Sequence, residues 1–399
     1  MFFKFVFHSL WGAAMLVALD RPALAETLTA EVLEQRIKAR NPEILAAEHR
    51  ALVAEAQTEQ FSLLPNPALG WEREDLPGLE RQDIFKLSVP LELSGRRRAG
   101  RALARSEAAL ARAEAAVTRS ALTEAALGLF YEALAAERRV AIARSALERL
   151  EEAGRVLGRR EAEGVASGYD VHRLGVQIEL ARATLERGEA ELGGLRQALA
   201  LLSGSDQRTL ELRGSLAVEE RRAARGARRA VREARKAASD ARSATDAAES
   251  AWIPALEVSG GLRIVETGET YYGYVAGASI ELPIFSRGQE LRAEARVRER
   301  QAEAEALALE QRASLDEMAA RQELGAALAE VERLRGPAAA RAEKLLRAAQ
   351  SSYREGARPL LELLDAAAMV SEVELRRVDA ELRAKRAELK LRAARGEFE

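Results

Sequence analysis

The chain has 399 residues, 48% of them hydrophobic but only 5% aromatic, with 31% charged and a formal net charge of -2. Ala, Glu, Leu and Arg at helical spacing argue against several compact aromatic cores and predict long, coiled-coil-like helices. The balanced charge predicts no nucleic-acid partner, and with no Cys there is neither a disulfide nor a lipid-modified thiol.

Residues 1–25 read as a cleaved secretory signal. Lys4 precedes an apolar run from Phe5 to Leu19, and Ala23-Leu24-Ala25 stands before Glu26. About 15 apolar residues are short for a membrane-spanning helix, and no later stretch reaches about 18.

Residues 26–204 form a first structural repeat. A helix at about 42–63 leads to Pro67, followed by strands at about 68–75 and 84–93. On the second strand Phe85, Leu87, Val89, Leu91 and Leu93 oppose Lys86, Ser88 and Glu92; the first is weaker, with Leu69 and Trp71 as its apolar pair. From Gly95 to about Glu161 there is no Pro, which predicts one helix of roughly 90–100 Å. Leu103, Leu110 and Val117 recur every heptad, with small residues Ser106, Ala113 and Ser120 three places after each. Such a stripe needs partner helices, and the small residues let them approach closely. A bend at about 160–169, within "EGVASGYDVHRL", returns the chain to Gly204.

Residues 205–396 repeat the plan, with 397–399 as a tail. A helix at about 220–251 carries a basic run at 221–236, read as a solvated face with a contact to adaptor, lipid headgroups or cell wall as the alternative. Strands follow at about 255–264 and 272–284. On them Leu256, Val258, Leu262 and Ile264 oppose Glu257, Ser259 and Arg263, and Tyr272, Tyr274, Ala276, Ala278, Ile280, Leu282 and Ile284 oppose Gly273, Ser279 and Glu281. A long helix from Gly288 then runs to a bend at about 353–361, in "YREGARPLLELLD", and a last helix ends at Gly396. The landmark pairs Pro67/Pro254, Pro90/Pro283, Gly95/Gly288, Gly164/Gly356 and Gly204/Gly396 keep their order at an offset of about 190 residues, which marks an internal duplication.

A period of two over about ten residues suits strands with a lipid face and a polar lumen. Four strands cannot close a barrel, for which about eight is the practical minimum, so other copies of the chain must complete it.

The duplicated plan, with "PNPAL", "VPLELSGRRRAGRALA" and "NPEILAAEHRALVAEA", resembles the TolC family of outer-membrane efflux factors, most like its CzcC-like branch for metal-cation efflux. The resemblance implies a mainly α fold with a membrane β-barrel part. Three chains would share a twelve-stranded barrel in the outer membrane and continue it as a helical periplasmic tunnel. It also implies a periplasmic adaptor, an inner-membrane pump of the RND type and surrounding outer-membrane lipid as partners. The expected function is passive conduction of heavy-metal or other cations outward, with no enzymatic step and no cofactor. The runner-up readings are a periplasmic adaptor and a structural coiled-coil protein of the envelope.

The family's gate carries over as Tyr353, Arg358, Glu362 and Asp365 on the second bend and Asp170 on the first, with Gly164 and Gly356 as adaptor-docking tips. Tyr169 stands where relatives have a small polar residue, and Pro359 beside Arg358 also departs from the pattern. Glu362 and Asp365, three apart, share a helix face, and threefold symmetry would gather six carboxylates into a cation-favouring ring. Acids at a helix start also have an ordinary electrostatic role there. The three His, at 8, 49 and 172, have no metal-ligand spacing, and no phosphate loop or nucleophile motif appears.

Overall fold

The computed structural model describes residues 26–399 apart from 77–79, 165–166, 206–209, 219–227, 268, 356 and 358. The expected signal at 1–25, the start of the basic run, and two expected site residues, Gly356 and Arg358, therefore lie outside the described residues.

In chain order the elements are β1 (Glu26–Leu28), α1 (Ala30–Arg40), α2 (Pro42–Gln60), β2 (Ala68–Leu76), β3 (Glu80–Leu91), α3 (Arg96–Ala162), α4 (Gly168–Ser203) and β4 (Leu210–Leu212). The second half continues with α5 (Arg229–Ala248), β5 (Leu256–Glu266), β6 (Thr270–Ile280), α6 (Gln289–Arg333), a π turn (Leu334–Ala338), α7 (Ala339–Arg354) and α8 (Leu360–Ala394). The run α2–β2–β3–α3–α4 thus recurs as α5–β5–β6–α6/α7–α8. Local chemistry sets the starts. Asn41 caps α2 by accepting from the amides of Glu43 and Ile44, with Pro42 at the first helical position, where no N–H is missed.

α3 is the spine. It packs on α2 and α5 and on α4 and α8. Its junction with α5 is built from small residues: Ala230, Ala234, Ala237, Ala241, Ala244 and Ala248 recur every three or four positions and are fully buried. Ser106 Oγ donates to the Ala237 carbonyl at 2.9 Å, a contact that needs the backbones close. The expected heptad stripe behaves in two ways. Ser106, Ala113 and Ser120 are buried within the protomer, while Leu103 and Leu110 stay half-buried and Val117 exposed. Gly95, where α3 begins, could carry no side chain, since a Cβ there would lie 1.9 Å from the Ala247 carbonyl oxygen.

The largest core sits midway along the molecule, around Phe130, Leu127, Leu33, Ile37, Leu199, Leu389 and Phe398. It includes a parallel pair, β1 with β4, that sequence reading missed; strands of three residues carry no usable periodicity. Two other expectations need correction. The second long helix is not continuous, because Pro337 sits inside it and the chain widens into the π turn. The last strand ends at Ile280, ahead of Pro283, leaving Leu282 and Ile284 beyond the sheet.

Candidate functional site

Two regions hold the candidate features, the four-stranded sheet and the helical tip. The sheet is antiparallel in the order β2–β3–β5–β6. Its register places Leu69 opposite Leu87, Trp71 opposite Phe85, Phe85 opposite Leu262, Val89 opposite Val258, and Leu262 opposite Tyr274. One face is therefore a continuous apolar surface, and none of it is covered: Leu69 is 79%, Leu262 64% and Tyr274 89% exposed. From Tyr272 to Ile280 it spans about 27 Å at about 3.4 Å per residue, close to the apolar height of a membrane barrel, about 25 Å. Gly70, Lys86, Ser88, Glu257, Ser259 and Arg263 occupy the other face by alternation. The outer strands β2 and β6 each leave one edge unpaired.

At the hairpin end the apolar face gives way to a polar rim. Arg73 donates to both Asp83 oxygens at 2.8 Å, and Trp71 Nε1 donates to the same carboxylate at 2.9 Å. Arg81 lies 3.5 Å from Asp75 and 3.8 Å from Glu266. An amphipathic Trp whose N–H meets a charged rim belongs at a membrane–water boundary. Sequence reading found Trp71 but not its partners, whose pairing depends on register.

At the other end, α3 turns into α4 through Gly164, at φ +74°, a conformation that disfavours side chains. A Cβ there would meet nothing within 4 Å, so the tip surface is open. Ser167 caps α4 by accepting from the Tyr169 amide, leaving the Tyr169 side chain 70% exposed. Asp170 stands in the first turn of α4, half-buried. Pro359 caps α8 without a side-chain acceptor. Glu362 lies half-buried in the first turn of α8, and Asp365 is exposed one turn later.

A small apolar core of Leu157, Leu174 and Leu360, with Leu150, Ile178, Leu363 and the Tyr353 ring packed against it, joins the hairpins. The Tyr353 hydroxyl is buried and meets no acceptor within the protomer among the described residues, so it makes no bond to Asp170 there. Its ring lies under the Arg160 guanidinium, 4.9 Å from the centroid. Further along α3, Arg149 Nη2 donates to Ser371 Oγ on α8 at 3.0 Å. Both arginines were missed, and nothing sets them apart in a helix so rich in Arg.

His49 and His172 are exposed. Among the described residues no group of His, Asp and Glu is arranged to hold a metal ion, and no helix is long and apolar enough to cross a membrane.

Residues 221–397 match the family of outer membrane efflux proteins. The chain is 28% identical over 196 residues to the cobalt-zinc-cadmium resistance protein CzcC of Cupriavidus metallidurans, an alignment covering 49% of this chain and 46% of that relative, about half the length of each. Among solved structures, CusC superposes with a TM-score of 0.75 at 19% identity, covering 92% of this chain and 91% of its own. VceC of Vibrio cholerae gives 0.73 at 20% identity, with 92% and 96% covered. The outer-membrane channel OprN gives 0.70 at 20%, with 92% and 89% covered. With the duplicated plan, the four-stranded sheet and the paired hairpins in place, the chain has the fold of these solved structures over 92% of its length, and its second half, residues 221–397, matches the outer membrane efflux protein family.

Proposed function

We propose that the chain is the outer-membrane channel of a tripartite efflux pump, in which three copies close a twelve-stranded barrel and extend it as a helical tunnel into the periplasm. The single observation that carries this reading is the sheet, apolar and uncovered on one face and open at both edges. Such a sheet is an aggregation hazard in water and a requirement in lipid. A periplasmic adaptor or a soluble coiled-coil rod would have no use for it, and an adaptor has one hairpin where this chain has two.

The partners are a periplasmic adaptor and an inner-membrane pump of the RND type. The cargo is heavy-metal or other cations, a reading supported by the likeness to a cobalt-zinc-cadmium resistance protein. Tyr353, Arg358, Glu362 and Asp365, with Asp170, form the gate at the tip, and Gly164 and Gly356 the adaptor-docking surface. Glu362 and Asp365 at the start of α8 supply carboxylates to the constriction, where a ring of acids favours cations.

Native mass measurement in detergent is expected to give three chains per particle, and Leu262→Arg to abolish that particle, at about 2–4 kcal/mol per mid-membrane Arg in each of three copies. A stable monomer that stays in the periplasmic fraction overturns the channel.

A further inference from the structure

Resting on the gate reading above, we propose that the two helical hairpins of one protomer are latched at the tip by two arginines of α3, Arg149 and Arg160, through a hydroxyl and an aromatic face. Arg160 covers the Tyr353 ring of α7 at 4.9 Å, and Arg149 holds Ser371 of α8 at 3.0 Å. The two arginines lie three helical turns apart on one face of α3, so they grip the second hairpin at two heights. Between these points runs a groove of about 910 Å³, lined by Leu346, Leu363, Leu364 and Ala367 on the second hairpin's side. The hairpins are therefore not sealed together along their length. Near the tip they are joined at these two points and by the small core at Leu157, Leu174 and Leu360, and further from the tip α3 and α8 meet again, with Arg139 donating to Asp379 at 2.8 Å.

The chemistry suits a closure that must release. A planar guanidinium stacks on an aromatic face without giving up all its hydration, so separating the pair strands no buried charge. The Tyr353 hydroxyl, buried without a partner among the described residues, adds nothing to the closure within a protomer. The ring does the holding.

Single-channel recording on the full-length protein in planar bilayers separates the ring from the hydroxyl. Tyr353→Phe, which keeps the ring, is expected to raise the open-to-closed ratio far less than Tyr353→Leu. Tyr353→Leu and Arg160→Gln are each expected to raise the open-to-closed ratio about tenfold, equivalent to about 1.4 kcal/mol. Opening by Tyr353→Phe to the extent of Tyr353→Leu overturns the ring latch, as does an Arg160→Gln channel that behaves as wild type. Because the native chain has no Cys, Arg149→Cys with Ser371→Cys can be bridged by a short bis-maleimide, which is expected to hold the channel at its closed conductance. A current indifferent to the bridge overturns the Arg149 contact. A protein that conducts nothing as wild type, as Tyr353→Leu and as Arg160→Gln sinks the channel reading itself, whereas wild-type conductance unaltered by Arg160→Gln and by the bridge sinks the latch alone.

Discussion

In the first repeat one helix, α3, runs 67 residues without interruption, whereas in the second the same path is split into α6, a π turn and α7. The immediate cause is one residue. Pro337 has no N–H to donate and its ring crowds the preceding turn, so the helix widens instead of continuing. The surroundings differ too. α3 is flanked by α2, α5, α4 and α8, while α7 packs mainly on α8. A duplicated plan thus yields a braced copy and a looser one, and the looser copy carries most of the residues proposed for the gate.

The largest expected effect comes from transplanting the break. Ala135 is fully buried at the middle of α3, and Ala135→Pro would cost about 3 kcal/mol or more in a helix interior, before any loss of packing around Phe130. No trimer should reach the outer membrane. Pro337→Ala, which removes the natural break, should leave assembly intact. Equal trimer yields from both variants would dissolve the distinction between the two helices.

The looser copy is anchored at its upper end. Lys385 on α8 is buried, donates to the Ala217 carbonyl at 3.1 Å, and lies over the Tyr131 ring of α3 at 4.9 Å. Glu388 Oε2 is 2.8 Å away, an ion-pair contact without the alignment of a hydrogen bond. Lys385→Met leaves that carboxylate buried and uncompensated, at a cost of about 3–5 kcal/mol, whereas Lys385→Met with Glu388→Leu should recover most of it. Thermal unfolding of the two variants measures the difference, and a double variant as unstable as the single one would refute the account. Next in size is Ala113→Leu. Ala113 packs with Ala234 and Ala306, so the added methyl groups force α3 and α5 apart at about 1–3 kcal/mol. Val117→Leu, on an exposed position nearby, should change the unfolding midpoint little.

The two copies were not equally legible. Strand alternation and the absence of Pro between Gly95 and Glu161 specified the sheet face and α3, because in those elements each side chain's environment follows from the period of the backbone. Pro337 was equally visible in the second copy, yet the helix was carried through it. The β1–β4 pair escaped because it joins residues far apart in sequence by only three positions on each side. At the tip, Gly164 and Asp170 were placed by the bend, but Arg160 over Tyr353 is a contact between two repeats, and no spacing within either one encodes it.

The smallest effect concerns a carboxyl on the braced copy. Glu124, half-buried on α3, has its pKa raised above the ordinary carboxylate value, chiefly by burial, with the charges of Lys390 and Arg228 opposing the rise. Between the unfolded value, about 4.3, and the raised folded value, the folded state holds a proton that the unfolded state has released. Stability from this group is therefore full below the unfolded value and is lost as pH rises through the folded one. Glu124→Gln keeps the shape and removes the titration. It should raise the unfolding midpoint slightly at pH 7, by about 1 °C, and leave it unchanged near pH 4. A lower midpoint at pH 7 would mean that Lys390 and Arg228 outweigh the burial, and that the charge on Glu124 helps to brace α3 against the end of α8.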